Sequence, residues 1–183
     1  MNKPLYLYVG KSASGKTSIA EILESRYSYK TLQSYTTRPK RYEDETGHTF
    51  ISDEEFDKLQ NIVGYTEYNG HRYCATKEQI DAVDIYVIDV PGVKTLIKRY
   101  DTDRQIIILY FDTSVRTRIE RMLNRHDSDS AVVSRLYNDE KSDWFSELKI
   151  LTEGKAQLYK IDANQPVQDV LYQTMKCMNM NGG

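Results

Sequence analysis

Short apolar runs alternate with amphipathic stretches along most of the chain. The first run, residues 5–9, is rich in β-favouring side chains, and residues 17–27 then place apolar side chains on one helical face. Two later runs, residues 85–90 and 105–111, are apolar on both faces, as strands buried between layers of helices are. A last run, residues 157–161, precedes another amphipathic stretch. The pattern predicts an α/β fold with a parallel sheet between helices.

The alternation breaks down after the first helix, where the pattern predicts an inserted α+β flap. Ser52 and Thr76 are each followed three residues later by Glu or Gln, which is the capping box that begins a helix. Between them, the chain alternates around Asn69-Gly70, the dipeptide that favours a type I′ hairpin turn. The expected division is 36–82 for the insertion, and 1–35 with 83–183 for the main fold.

Composition narrows the class of protein. The 183 residues suffice for one folded domain with insertions, and 39% hydrophobic with 28% charged residues is typical of a globular chain. The 25 basic residues nearly balance 27 acidic ones, so no overall basic field favours binding to nucleic acid or to an anionic membrane. The two cysteines are far apart and no apolar signal stretch opens the sequence, which favours reduced thiols in a cytoplasm. Because the net charge is close to zero, any anion-binding site is expected to be a local cluster of basic residues.

One segment matches a phosphate-binding loop, or P-loop, at every fixed position. Residues 10–17 fit the pattern GxxxxGK[ST] and lie between a predicted strand and a predicted helix, as the motif requires. Its glycines let successive backbone N–H groups turn inward, and the positive end of the helix faces the same hollow. Lys16 would reach the β- and γ-phosphates of ATP, and the Thr17 hydroxyl would coordinate Mg²⁺. The residues expected to bind ATP are Gly10, Lys11, Ser12, Ala13, Ser14, Gly15, Lys16, Thr17 and Ser18.

A second basic segment lies at residues 34–41, with the sequence Ser-Tyr-Thr-Thr-Arg-Pro-Lys-Arg. The planar fork of an arginine suits a terminal phosphate better than a lone ammonium does, so Arg38 and Arg41 could hold a second anionic substrate. As a bare pattern, a solvated basic loop is the more common interpretation. A second phosphate site beside the P-loop would distinguish a kinase from a hydrolase or a switch protein.

Together these segments resemble the guanylate kinase family along nearly the whole chain. The residues that carry the resemblance are 10–17, 34–41, Thr49-Phe50-Ile51-Ser52, Glu54-Glu55-Phe56, Ile88-Asp89-Val90-Pro91-Gly92-Val93 and Arg121-Met122-Leu123-Asn124-Arg125. The resemblance implies a three-layer P-loop NTPase-type fold with a parallel five-stranded sheet, an inserted nucleoside-monophosphate-binding flap and a helical lid at about residues 121–140. It also implies transfer of the γ-phosphoryl group of ATP to GMP or dGMP, with Mg²⁺ as cofactor.

The same resemblance assigns roles to individual residues. Those that would hold the GMP phosphate are Ser34, Arg38, Arg41 and Tyr73. Asp89 would help to read the guanine, although a carboxylate at the end of a strand equally fits a position near Mg²⁺. The full set expected at the acceptor site is Ser34, Arg38, Arg41, His48, Glu67, Tyr73, Thr76 and Asp89. The groups expected to promote transfer are Lys16, Arg38, Arg41, Arg121, Arg125 and Arg135.

The lid arginines also stand out by their spacing. Arg118, Arg121 and Arg125 recur at three and four residues and so share one helical face. Arg135 is expected to begin the next helix, after a polar turn at residues 126–130. Cationic groups that arrive when a lid closes can neutralise charge on a transferring phosphoryl group. Taken alone, the segment fits a solvated helical face equally well.

Three departures from the family pattern fall in the expected base pocket. His48 stands where the family usually has a tyrosine, and Thr76 is displaced from the position of a small hydroxyl residue. The hairpin that carries Glu67 is shortened, yet a shift of two residues keeps a side chain on the same face of a strand. Two alternatives therefore stay open: a kinase for another nucleoside or deoxynucleoside monophosphate, and a guanylate-kinase-like protein-binding module without catalysis.

Overall fold

Two four-stranded sheets with surrounding helices form the protein in a computed structural model, which describes residues 3–40 and 43–179. The strands are β1 (Leu5–Val9), β2 (Ser34–Thr36), β3 (His48–Phe50), β4 (Ile62–Tyr68), β5 (His71–Thr76), β6 (Ile85–Val87), β7 (Ile106–Asp112) and β8 (Gln157–Asp162). The helices are α1 (Lys16–Tyr27), α2 (Asp53–Phe56), α3 (Lys77–Asp81), α4 (Val90–Arg99), α5 (Val115–Asn124), α6 (Asp129–Asp139), α7 (Trp144–Thr152) and α8 (Val167–Asn179).

The first sheet is parallel throughout, with the strand order β6-β1-β7-β8. Leu5 and Leu7 of β1 face a core cluster that includes side chains of α4 and α7. Tyr6 and Tyr8 face the opposite cluster, which includes side chains of α1 and α8. Because both faces of β1 are buried, its sequence is apolar without alternation, as the pattern predicted. The helices form a layer on each side of the sheet.

The expected five-stranded sheet is wrong, because the described residues give this sheet four strands. After α1 the chain reaches the sheet edge, where Thr31 forms an isolated parallel bridge with Ile85. The Leu32 N–H donates to the Ile85 carbonyl at 2.8 Å. The chain then enters β2 at Ser34, which pairs with β3 and β5 of the other sheet. A fifth strand does not develop because the chain leaves the edge within three residues.

The apolar run at residues 85–90 is a strand only over Ile85–Val87. Asp89 ends the run as the N-cap of α4, with its side chain accepting the Gly92 N–H at 2.8 Å. Pro91 fits the first turn of that helix, where a missing N–H costs no hydrogen bond. The carboxylate of Asp89 therefore lies beyond the carboxyl end of a parallel strand, where ligands bind in open α/β sheets.

The second sheet has the strand order β3-β2-β5-β4 and lies within the segment between α1 and β6. Its hairpin turn has φ of 50° at Asn69 and 76° at Gly70, which are the positive values that a type I′ turn requires. Both predicted capping boxes are confirmed: Ser52 pairs with Glu55, and Thr76 pairs with Gln79. Residues close together in the sequence therefore determine the hairpin turn of this sheet and the starts of its two short helices.

The two arginine-bearing helices are α5 and α6. The start of α6 differs from the expectation, because Ser128 caps it by accepting the Ala131 N–H at 3.3 Å. The polar turn ends two residues early, and Arg135 lies in the middle of α6 rather than at its beginning. Within the described part of the chain, no helix combines the length and the apolar character needed to cross a membrane.

Candidate active site

The P-loop connects β1 to α1 at the carboxyl end of the parallel sheet. A Cβ on Gly10 would lie 2.7 Å from the Phe111 carbonyl oxygen, so a larger residue cannot occupy that position. Gly15 has a φ of 92°, a left-handed conformation that glycine adopts without strain. The two glycines of the motif are thus each required by the observed backbone.

Lys16 lies folded against its own loop. Its ammonium donates to the carbonyl oxygens of Gly10 at 2.6 Å and Lys11 at 3.0 Å, and to Ser14 Oγ at 3.0 Å. Burial lowers the pKa of Lys16 to about 8, and the nearby Asp139 carboxylate opposes that shift. A cation held in this way has lost much of its hydration, which strengthens its attraction to any anion that reaches the loop.

Two cavities meet at Lys16. One, of about 490 Å³, lies between the P-loop, the second sheet and the start of α4. The other, of about 390 Å³, lies along residues 13–19 on the side of α5 and α8. The expected site residues that line the larger cavity are Gly10, Ser12, Lys16, Ser34, His48, Glu67, Tyr73 and Asp89. Those that line the smaller cavity are Ala13, Ser14, Gly15, Lys16, Thr17, Ser18, Arg121 and Arg125.

Three predicted acceptor residues converge in the larger cavity. Ser34 and His48 are register partners on β2 and β3, and Ser34 Oγ lies 2.9 Å from His48 Nδ1. The ring of Tyr73, on the neighbouring strand β5, meets the His48 ring edge-on with centroids 5.6 Å apart. The sheet register therefore gathers a hydroxyl, an imidazole and a phenol on one wall.

Arg38 follows β2, and its planar fork is bound to an acid that the sequence analysis missed. Its Nη1 and Nη2 donate to the two carboxylate oxygens of Glu45 at 3.1 and 2.8 Å. The Arg38 Nε is buried and has no hydrogen-bond partner among the described residues. An unmet buried donor is costly. Arg38 lines neither of the two cavities. Arg41 lies outside the described residues, and its role stays a prediction.

Asp89 and Thr66 form a polar pair on the wall of the larger cavity. Thr66 Oγ1 donates to Asp89 Oδ2 at 2.8 Å. Burial raises the pKa of Asp89, and its hydrogen bonds with Thr66 and the Gly92 N–H counteract the shift. The sequence analysis missed Thr66, whose only signal was its position on the strand beside Glu67.

Two other expected acceptor residues have different surroundings. Glu67 is exposed at the rim of the larger cavity, where its carboxylate accepts the Tyr65 hydroxyl. Since side chains alternate along a strand, Glu67 and Thr66 lie on opposite faces of β4. Thr76 is buried and caps α3 by accepting the Gln79 N–H at 3.4 Å. Thr76 therefore acts as the N-cap of α3, and Glu67 lies at the edge of the larger cavity.

The lid arginines separate into different environments. Arg121 donates to the carbonyl oxygens of Ala13 at 3.3 Å and Ala163 at 2.8 Å, which ties α5 to the P-loop. Arg125 and Arg135 both pair with Asp127, at 2.7 and 3.4 Å. Arg121 and Arg125 line the smaller cavity. Arg135 instead pairs with Asp127, in the turn between α5 and α6.

Arg118, on the same helical face, is fully buried rather than solvated. Its Nη1 donates to Asp139 Oδ2 at 2.9 Å, and its Nη2 donates to Glu140. Asp139 Oδ2 also accepts the backbone N–H of Ser12 at 2.8 Å. One carboxylate thus joins α5, the end of α6 and the P-loop, an arrangement with no local sequence signal because 21 residues separate Arg118 from Asp139.

The chain is similar in sequence to two guanylate kinases. The chain is 31% identical over 151 residues to a guanylate kinase of Thermotoga maritima, a match that covers 75% of this chain and 72% of that protein. It is 25% identical over 150 residues to a guanylate kinase of Fusobacterium nucleatum, covering 75% and 80% respectively. No family model matches the chain.

The fold of the chain is also similar to that of a solved guanylate kinase structure. The crystal structure of guanylate kinase from Anaplasma phagocytophilum aligns with a TM-score of 0.58 over 100% of this chain and 88% of that chain. Sequence identity in that alignment is 13%, so the match bears on the fold alone.

Proposed function

The chain belongs to the guanylate kinase family, and from that membership we propose that it transfers the γ-phosphoryl group of ATP to GMP or dGMP. The observation that carries the proposal is the position of Lys16 where two cavities meet. A donor nucleotide on the α5 side and an acceptor on the side of the second sheet would then face each other across one ammonium group. Direct transfer between two bound substrates needs positioning and charge neutralisation rather than a covalent catalyst.

The donor side consists of the P-loop and α5. The inward N–H groups and Lys16 hold the triphosphate, and Arg121 and Arg125 approach it from the smaller cavity. Thr17 is exposed at the first turn of α1, and its hydroxyl is the hard oxygen ligand that Mg²⁺ prefers. Bound together with ATP oxygens and Thr17, Mg²⁺ would supply neutralisation of phosphate charge. Arg135 contributes to the lid, over about residues 121–140.

The acceptor side lies in the segment 36–82 and at its borders. Ser34, Tyr73 and Arg38 bind the GMP phosphate, with Arg41 as a further cation. The main fold, 1–35 with 83–183, carries the donor site. The expected reduced thiols of the two cysteines agree with a cytoplasmic location, which we include in the proposal.

Product analysis tests the proposed reaction. The chain incubated with ATP, Mg²⁺ and GMP should yield ADP and GDP in equal amounts. Release of inorganic phosphate without GDP would instead identify a hydrolase. Binding of ATP with no phosphorylated acceptor would support the protein-binding module.

The hydroxyl of Tyr73 should matter for the acceptor alone. Tyr73→Phe is expected to raise the KM for GMP about tenfold or more, because a hydrogen bond to a charged group contributes about 1.5 to 3 kcal/mol. The KM for ATP should stay unchanged in steady-state kinetics. Tyr65→Phe is the matched control, since its hydroxyl bonds Glu67 on the other face of the hairpin. An increase in the KM for ATP instead would place the donor in the larger cavity.

Asp89 should carry most of the discrimination between guanine and adenine. Guanine presents donors at N1 and its exocyclic amine, whereas adenine presents an acceptor at N1, so a carboxylate binds guanine better. Asp89→Asn is expected to lower the ratio of kcat/KM for GMP to that for AMP about tenfold or more. If Asp89 acts through Mg²⁺ instead, activity should fall equally with both acceptors.

Glu67→Gln tests the second candidate for the same role. Because the Glu67 carboxylate is engaged by Tyr65 at the rim, we expect a smaller change in the GMP to AMP ratio than Asp89→Asn gives. A change confined to Glu67→Gln would mean that the hairpin turns this side chain inward when GMP binds.

A further inference from the structure

A carboxylate from the end of α6 occupies part of the P-loop's anion-binding surface. Asp139 Oδ2 accepts the backbone N–H of Ser12 at 2.8 Å, and Ser12 and Asp139 both line the larger cavity with Lys16. Backbone N–H groups of this loop are the donors that hold phosphate oxygens in P-loop proteins. Carboxylate and phosphate oxygens both accept charge-assisted hydrogen bonds from such a donor. Since the two cavities meet at Lys16, Asp139 therefore lies on the acceptor side of the P-loop, beside the place that the terminal phosphate of the donor would reach.

Its position is fixed by a buried cation. Arg118 is 0% exposed and Asp139 is 2% exposed, and they pair at 2.9 Å through the same oxygen that accepts from Ser12. A buried carboxylate with two charge-assisted or backbone donors has little freedom to move away. Arg118 thus acts as a positioning residue that keeps the carboxylate on the loop.

The neighbouring charges extend the same arrangement. Glu140 pairs with Lys11 of the loop at 3.0 Å and also with Arg118. Asp139 is close enough to Lys16 to oppose the effect of burial on the pKa of that lysine. An approaching triphosphate therefore meets two carboxylates that are already bound to the loop. Asp139 accepts the Ser12 N–H, and Glu140 pairs with the Lys11 ammonium.

We propose that Asp139 competes with the donor triphosphate for the Ser12 N–H and thereby sets the affinity of the P-loop for ATP. The inference rests on the proposed function only in taking ATP as the donor. ATP binding must displace the carboxylate from Ser12, and the free energy spent on that displacement weakens the observed affinity.

Asp139→Asn is the direct test, because the amide keeps the shape of the side chain and an oxygen that Ser12 and Arg118 can share. Removal of the competing charge is expected to lower the Kd for ATP about tenfold, measured by calorimetry on the full chain. The KM for GMP should change less than the Kd for ATP, because the hydrogen bonds of Asp139 go to Ser12 and Arg118 rather than to the acceptor residues. The melting temperature should fall at the same time, since Arg118 loses a charged partner. A purely structural role predicts lower stability with unchanged or weaker ATP binding, and that result would overturn the proposal.

Asp143→Asn is the matched control. Asp143 caps α7, is exposed and lies near Lys11, and asparagine preserves the cap. It removes the same charge from the same region without a contact to the P-loop backbone, so ATP affinity should not change. An equal gain in affinity would point to general charge reduction and contradict the role of Asp139.

A double variant covers the case in which Asp139→Asn is too unstable to measure. Arg118→Met with Asp139→Leu removes both buried charges together and frees the Ser12 N–H, so it should also bind ATP more tightly. Unchanged ATP affinity in this variant would equally overturn the proposal. Since the measured quantity is ATP binding, failure of the wild type to phosphorylate GMP would refute the proposed function separately.

Discussion

Lys16→Met should reduce phosphoryl transfer by about 100-fold or more while the protein stays folded. The substitution removes an ammonium group that borders both cavities. Its hydrogen bonds go to the carbonyl oxygens and the hydroxyl of its own loop rather than to the core. Because burial already disfavours the charged form of Lys16, its loss should leave the melting temperature unchanged or slightly higher.

The measurement is the rate of GDP formation at saturating ATP and GMP, together with a thermal melt of each protein. Lys11→Met is the matched control on the same loop, since Lys11 pairs with Glu140 and is not a fixed position of the motif. Its effect on turnover should be much smaller. Near-normal turnover by folded Lys16→Met protein would remove the P-loop from the donor site.

Arg118→Met should lower the free energy of unfolding by about 3 to 5 kcal/mol, since it leaves Asp139 buried without its cation. Adding Asp139→Leu should restore most of that loss, because no buried charge is then left unpaired. Denaturant unfolding of the wild type, the single variant and the double variant measures both quantities.

A surface pair on the same helix gives the comparison. Arg116 pairs with Glu120 at 2.9 Å, but its side chain is 88% exposed. Arg116→Met should therefore change the free energy of unfolding by less than about 1 kcal/mol. If Arg118→Met were equally mild, the buried pair would not be the structural link between the P-loop and α6 that the distances indicate.

Features with a local chemical cause could be predicted from the sequence. The capping boxes at Ser52 and Thr76 and the turn at Asn69-Gly70 each depend on residues within a few positions of one another. The P-loop glycines belong to the same class, because the loop conformation itself demands them. Prediction succeeded where the determining residues are neighbours in the chain.

The number of strands in the parallel sheet could not be predicted in this way. Whether residues after α1 extend that sheet depends on Ser34 pairing with His48 and on Thr36 pairing with Tyr73, which lie far along the chain. The apolar pattern near Leu32 fits either outcome. Competition between two sheets for one segment is decided by distant partners.

The orientation of the functional side chains also depends on residues that are distant in the sequence. The spacing places Arg118, Arg121 and Arg125 on one face of α5. Which of them is buried depends on Asp139 and Glu140, at the end of the following helix α6. On β4, a difference of one residue decides whether Thr66 or Glu67 faces Asp89, since neighbouring side chains point to opposite faces. Sequence pattern gives the residue types of a site more readily than the face on which each lies.

Acceptor choice tests the central claim most directly. The measurement is kcat/KM for GMP, dGMP, AMP, CMP, UMP and dTMP, each with ATP and Mg²⁺ and the full chain. The account predicts that GMP or dGMP has the highest value, with AMP lower because adenine presents an acceptor at N1 and has no amine at C2, so it offers the Asp89 carboxylate fewer donors than guanine. A higher value for AMP or for any pyrimidine monophosphate would contradict it.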